Sequence, residues 1–145
     1  MIYFLRHGDA EDHNGDDASR QLTAKGERQA RVAGRALAAL GANLDACLTS
    51  PKVRATETAR LACEALPVEP ETASELGGGG FEALGLAAGR GDVLLVGHEP
   101  DFSGEVARLT GARVRMRKGG LAIVEGSTLV ALLRPAELKA IAASA

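Results

Sequence analysis

The sequence predicts an α/β domain whose mixed sheet is covered on both faces. Three observations predict it. Short apolar runs alternate with stretches of helical periodicity, Asp92 to Val96 is apolar without alternation, and the chain closes on a hairpin pattern followed by one more helix. Strands buried on both faces read as continuous apolar runs, and strand–helix alternation builds largely parallel sheets. At 145 residues the chain is long enough for one core and too short for two ordinary domains. No repeat or linker divides it, so residues 1–145 are expected to form a single domain.

Ile2 to Leu5 reads as a first buried strand, and Gly8 to Arg20 as a polar loop with five acidic residues and two glycines. Thr23 caps a helix on which Ala30, Ala33, Leu37 and Leu40 recur at helical spacing, and Gly41 stops it. Leu44 to Thr49 is a second strand. Ser50 is then expected as the cap of a helix with Pro51 at its first position, where the missing N–H costs nothing. That helix carries Val53, Leu61, Ala62 and Leu66 and ends at Pro67. Val68 to Thr72 reads as a third strand, Phe81 to Ala88 as a short helix, and Asp92 to Val96 as the fully buried strand. Gly97-His98-Glu99-Pro100 follows it, and then a helix through Leu109 that Gly111 closes. Leu121 to Val124 and Thr128 to Leu133 form the hairpin, and Pro135 opens the terminal helix.

Composition narrows the function. Hydrophobic residues make up 46% and charged residues 25%, which excludes disordered and fibrous classes. A net charge of -2 provides no global basic field for a polyanion, and one tyrosine plus three phenylalanines are too few for a base-stacking platform, so no nucleic-acid partner is expected. No apolar run approaches the ~20 residues of a membrane span. The opening Met-Ile-Tyr-Phe-Leu-Arg-His lacks the pattern of an export signal, which predicts a cytoplasmic protein with no membrane partner. Cys47 and Cys63 form no metal-ligand pair by spacing and read as buried thiols.

Three segments place unusual polar residues just after a predicted strand: Arg6-His7-Gly8, Ser50-Pro51-Lys52-Val53-Arg54 and Gly97-His98-Glu99-Pro100. Ligands of α/β sheets bind outside the carboxyl ends of strands, so the three can converge despite their separation in sequence. Arg54 falls in the first turn of its helix, where the macrodipole also favours an anion. Any one histidine at a strand end is most simply a structural hydrogen-bonder, and an arginine on a first turn is most simply solvated. The shared position of all three segments carries the functional reading: Arg6, Arg54, His7 and His98 form a site for a doubly charged tetrahedral oxyanion, phosphate above all.

These residues also carry a family resemblance. Leu5-Arg6-His7-Gly8, then Leu22-Thr23 with Gly26 and Gln29-Ala30, then Ser50-Pro51 with Arg54 and Thr58-Ala59, then Val96-Gly97-His98, resemble the histidine phosphatase superfamily in order over residues 2 to about 104. The short chain and the opening Arg6-His7-Gly8-Asp9-Ala10 are most similar to its SixA-type phosphohistidine phosphatase branch. The resemblance implies a three-layer α/β/α sandwich with a mostly parallel mixed sheet, the phosphoglycerate-mutase-like fold. It also implies His7 as nucleophile, with Arg6, Arg54 and His98 holding the phosphoryl oxygens and no metal or other cofactor. For phosphoryl transfer, such positioning and electrostatics supply most of the catalysis.

The proton donor is left open between Glu75, Glu99, Asp9 and solvent. Glu75, before the glycine run, resembles the donor position of one branch, and Glu99 that of another. A phosphorus–nitrogen bond breaks readily once the imidazole is protonated, so a poorly placed acid favours phosphohistidine over alkyl phosphates. Only about 40 residues separate Arg54 from His98, and they include Gly77 to Gly80, so little chain is available for a lid. The expected partner is therefore a phosphorylated protein bearing phosphohistidine. The alternatives are a small phosphate ester, as for a broad phosphomonoesterase, or a phosphate-binding module without turnover. Gly77 to Gly80 lacks the lysine and threonine of a P-loop and reads as a flexible connection. His7, Asp9, Asp12 and His13 are set aside as metal ligands, because no regular spacing aligns them and Arg6 repels a cation. Lys25, Arg28, Arg31 and Arg35 are the polar face of an amphipathic helix. Arg113, Arg115 and Arg117, with Lys118 beside them, would share one face of an extended segment. That segment is either a docking surface for an acidic partner or a solvated edge strand.

Overall fold

A computed structural model describes residues 1–12 and 15–144, and His13 lies outside them. The predicted class is realised as a six-stranded mixed sheet between two helical layers. In chain order the elements are β1 (Ile2–Arg6), α1 (Ala24–Ala39), β2 (Ala46–Thr49), α2 (Val53–Cys63), β3 (Pro70–Thr72) and α3 (Ala83–Ala87). They are followed by β4 (Val93–Gly97), α4 (Asp101–Thr110), β5 (Leu121–Glu125), β6 (Thr128–Leu133) and α5 (Pro135–Ala143). The sheet order is β3-β2-β4-β1-β5-β6. The first four of these strands are mutually parallel, β5 pairs antiparallel with β1, and β6 pairs antiparallel with β5.

Side-chain alternation along each strand sorts the core into two layers. Tyr3, Leu5, Cys47, Leu94, Val96 and Leu121 pack under α1, α2 and α5 through Ala33, Leu37, Ala59, Ala62 and Leu138. Phe4, Leu48, Leu95 and Ala122 face the other way onto Leu76, Ala83, Phe102 and Val106. The central strand β4 is buried along its whole length, as its uninterrupted apolar run requires.

Several helix boundaries follow the expected chemistry. Thr23 Oγ1 accepts from Gly26 N at 3.1 Å and caps α1, and Gly111 ends α4 in the left-handed conformation at φ 76°. Pro135 opens α5, with Glu137 accepting from the Arg134 N–H at 2.9 Å. Other expectations are corrected. The cap of α2 is Lys52, not Ser50, and Pro51 lies outside the helix, although Ser50 Oγ accepts from the Lys52 N–H at 3.2 Å as a capping serine does. α2 ends at Cys63 rather than Leu66, and β3 begins at Pro70 rather than Val68. Cys63 is only half-buried. Residues 113–118 form no strand, although their alternation is real: Arg113, Arg115 and Arg117 are exposed, Met116 is buried and Val114 half-buried. The sheet edges are β3 and β6 instead.

Candidate active site

The site is built where the three central strands β2, β4 and β1 end. The His7 N–H donates to Gly97 O at 3.0 Å and the Ser50 N–H to Val96 O at 2.9 Å, so the residue after β1 and the residue after β2 are pinned on either side of His98. Gly8 continues this tie, its N–H donating to Thr58 Oγ1 at 3.0 Å while that hydroxyl donates to Arg54 O at 2.7 Å. Glycine is required here. A Cβ on Gly8 would come within 2.6 Å of Gly26 O, and one on Gly26 would overlap Asp9 O. The loop after β1 therefore lies directly on the first turn of α1.

His7, Arg54 and His98 are buried, at 5%, 6% and 7% exposure, yet all three line a cavity of about 370 Å³. Arg6, Arg20, Lys52, Lys118, Glu99, Asp101 and the backbone of Gly78 and Gly79 line it too. The two imidazole rings stand 5.2 Å apart, centroid to centroid. His7 Nδ1 donates to Gly8 O at 2.7 Å, and because a carbonyl only accepts, the proton sits on Nδ1 and the Nε2 lone pair is available. Ser50 Oγ already accepts from the Lys52 N–H at 3.2 Å, so its own proton is free to go to His98 Nε2, 2.7 Å away. That assignment puts the His98 proton on Nδ1.

Burial is the main influence on both rings. The His7 pKa falls to about 4: burial lowers it most, the Gly8 hydrogen bond opposes, and the charges of Arg54, Arg6 and Lys118 lower it further. Burial, with His7, Arg54 and Lys52 adding to it and Asp17 opposing, brings His98 to about 3. Both rings are neutral at pH 7.

The guanidinium groups are held from behind. Arg6 NH1 donates to Met116 O at 2.9 Å, and Arg54 donates to Asp17 O at 2.9 Å and Asp17 Oδ2 at 3.2 Å. Lys52 and Arg20 also contact the Asp17 carboxylate. Burial acts to raise the Asp17 pKa, but hydrogen bonds from Arg20 and the charge of Arg54 overcome it and hold it at about 2. Three buried nitrogens, Arg6 Nε, Arg54 Nε and His98 Nδ1, have no hydrogen-bond partner among the described residues. A buried donor left unpaired costs about 1–3 kcal/mol, and an anion in the shared cavity would satisfy these nitrogens.

Arg6, His7, Arg54 and His98 are therefore brought together. Glu75 is not among the cavity-lining residues; it is exposed and accepts from Ser74 Oγ at 3.3 Å. Glu99 lines the cavity, but its Oε1 accepts from the Ser103 N–H at 2.7 Å, on the first turn of α4. Asp9 faces away, accepting from Thr23 Oγ1 at 2.8 Å and pairing with Lys118 at 3.7 Å. Sequence reasoning missed Arg20, Lys52 and Lys118 as cavity cations, Asp17 as the brace behind Arg54, and Ser50 as the partner of His98. Gly78 and Gly79, read as a plain connection, form part of the rim. Among the described residues no group of three or more His, Cys, Asp or Glu side chains is placed to hold a metal ion.

The family model described as histidine phosphatase superfamily (branch 1) matches residues 2–84, more than half of the chain. The chain belongs to the histidine phosphatase superfamily. Within reach of that superfamily, an uncharacterised protein of Picosynechococcus sp. is 35% identical over 135 residues, covering 83% of this chain and 81% of its own. The structure of the protein histidine phosphatase SixA complexed with tungstate superposes with a TM-score of 0.82 at 24% identity, over 95% of this chain and 99% of that one, which establishes the common fold. A candidate phosphohistidine phosphatase SixA from Nakamurella multipartitia is 25% identical with a TM-score of 0.74, over 95% of this chain and 88% of its own. The sheet and its helical layers are thus those of the phosphoglycerate-mutase-like fold, and superfamily membership supports a phosphatase. No described helix is long and apolar enough to cross a membrane.

Proposed function

We propose that the protein is a metal-independent protein phosphohistidine phosphatase with His7 as nucleophile. One observation carries the reading: the available Nε2 of a neutral, buried imidazole shares a cavity with residues bearing three unpartnered buried nitrogens, two of them guanidinium N–H donors. His7 Nε2 attacks phosphorus in line. The phosphorus–nitrogen bond of the substrate breaks, and the departing imidazole keeps the electron pair and takes a proton. Water then attacks the phosphoryl group on His7, releasing phosphate and returning the lone pair to Nε2. Arg6, Arg54 and His98 hold the three equatorial oxygens, and each arginine contributes about 3–4 kcal/mol of barrier lowering as a preorganised donor.

The carboxylates support phosphohistidine over an alkyl phosphate. Both that line the cavity, Glu99 and Asp101, already accept from backbone N–H groups, of Ser103 and of Gly80. Each has one oxygen committed to holding a backbone amide, Glu99 Oε1 and Asp101 Oδ2, and Glu75 lies outside the lining. An imidazole leaving group, protonated by solvent, does not need a dedicated acid. The candidate SixA protein of Nakamurella multipartitia points to the same substrate class.

The test is a brief reaction with a phosphohistidine-bearing protein, quenched in alkali and mapped by mass spectrometry. The acid-labile phosphoryl group is expected on His7 and absent from His7→Ala, with EDTA without effect. A higher kcat/KM for a small phosphate ester than for the phosphohistidine protein would overturn the substrate class, and label elsewhere would overturn the nucleophile.

A further inference from the structure

Beside the catalytic cavity lies a larger one of about 590 Å³, and the two share Arg6 and Lys118 as lining residues. Its walls come from the start of α1 (Lys25, Gln29), the start of α5 (Arg134, Pro135, Ala136) and the 117–118 turn. Five of its lining residues are cationic and only Asp9 is acidic, on a chain whose net charge is -2. Two of those cations are neutralised locally, Arg134 by Glu137 at 2.8 Å and Lys118 by Asp9 at 3.7 Å. Lys25 and Arg117 have no side-chain partner among the described residues, nor do Arg113 and Arg115.

The alternation of residues 113–117 carries the positive charge out of this cavity. Arg113, Arg115 and Arg117 are exposed while Met116 is buried and Val114 half-buried, so three arginines alternate with side chains turned to the core. Four residues of chain separate Arg113 from Arg117, a reach of at most ~14 Å, the span of about four residues of an extended peptide. Unpartnered arginines on a surface raise no stability argument for their spacing, whereas a row of them leading into a phosphoryl site suits a chain of carboxylates.

We infer that the groove formed by Lys25 and Arg117, continued by Arg115 and Arg113, docks an acidic segment of the phosphoprotein substrate. This rests on the proposed phosphohistidine phosphatase activity. The strip reaches past the cavity, farther than a small anion extends, and no aromatic side chain lines the groove to stack a base. Acidic residues flanking the phosphohistidine would lie along the strip while the phosphoryl group reaches His7. Such complementarity raises the encounter rate and selects among phosphoproteins, and salt screens it.

The test compares wild type with the triple variant Arg113→Gln/Arg115→Gln/Arg117→Gln on three substrates: phosphohistidine peptides with acidic or neutral flanks, and p-nitrophenyl phosphate. Wild type is expected to favour the acidic peptide at least tenfold in kcat/KM, through KM, with the preference fading between 50 mM and 500 mM salt. The variant is expected to lose that preference while its rates on the neutral peptide and on p-nitrophenyl phosphate change less than twofold. Equal turnover of both peptides by wild type would overturn the docking strip and leave the activity standing. Failure to turn over either peptide would overturn the activity instead. In that case the strip is decided by titrating the unphosphorylated acidic and neutral peptides: salt-sensitive binding of the acidic one to wild type alone supports it, and equal affinities overturn it.

Discussion

Ser50 illustrates how one hydroxyl decides the chemistry of a neighbouring ring. Its sequence position before a proline is that of a helix cap, and the capping preference of serine is real. Once β2 and β4 lie side by side, however, His98 Nε2 sits 2.7 Å from Ser50 Oγ, and with the hydroxyl donating, the His98 proton sits on Nδ1, where the ring has no other partner among the described residues. Substituting Ser50→Ala frees the ring to take either tautomer. A roughly 10- to 100-fold fall in kcat is expected with a smaller change in KM, because an oxyanion donor is lost only when the transition state needs it. Ring ¹⁵N shifts of His98 provide the check: they report a single Nδ1–H form in wild type and a mixture in the variant. Unchanged shifts would contradict the assignment. Arg6, His7, Arg54 and His98 were legible from their place after predicted strands. Arg20 and Lys52 were not, because an isolated cation in a polar loop looks the same whether it faces a cavity or solvent.

At the scale of elements, helix packing depends on a glycine that periodicity alone does not single out. Gly34 lies on the buried face of α1, and a Cβ there would run into Ala62 O on α2. Gly34→Ala must push the two helices apart, and overpacking of this kind costs about 1–3 kcal/mol. For a domain of this size the melting temperature is expected to fall by roughly 2–4 °C per kcal/mol, measured by thermal unfolding, and an unchanged melting temperature would show that the backbone approach is looser than described. Strand and helix identities were readable because each run keeps its period. Boundaries were less so, since the extent of β3 depends on pairing with only three residues of β2. The 113–118 segment has the alternation of a strand but forms no ladder and does not join the sheet.

For the whole molecule, the two buried imidazoles couple stability to pH. Their pKa values in the folded protein, about 4 for His7 and about 3 for His98, lie below the ordinary value of 6.5 regained on unfolding. Between these limits the unfolded chain binds more protons, so stability is complete above about pH 6.5 and falls as the solution is acidified toward pH 4. The Asp17 carboxyl, held at about 2, begins to release its contribution only at lower pH. Urea midpoints measured at pH 7.5 and pH 4.5 are expected to differ, the acid one being lower, and His7→Gln/His98→Gln should flatten the difference. Equal midpoints in wild type would mean that the rings are solvated.

By itself the sequence determined the α/β class, the order of the elements and four residues that come to line one cavity, because period, turn residues and strand-end positions are local properties of the chain. Only the tertiary structure decided which carboxylates are committed to backbone amides, which hydroxyl orients His98, and which cations surround the cavity. Those are relations between side chains from separate elements. They exist only after parallel strands have brought residues 7, 50 and 98 to one end of the sheet, where burial and hydrogen bonding set each group's chemistry.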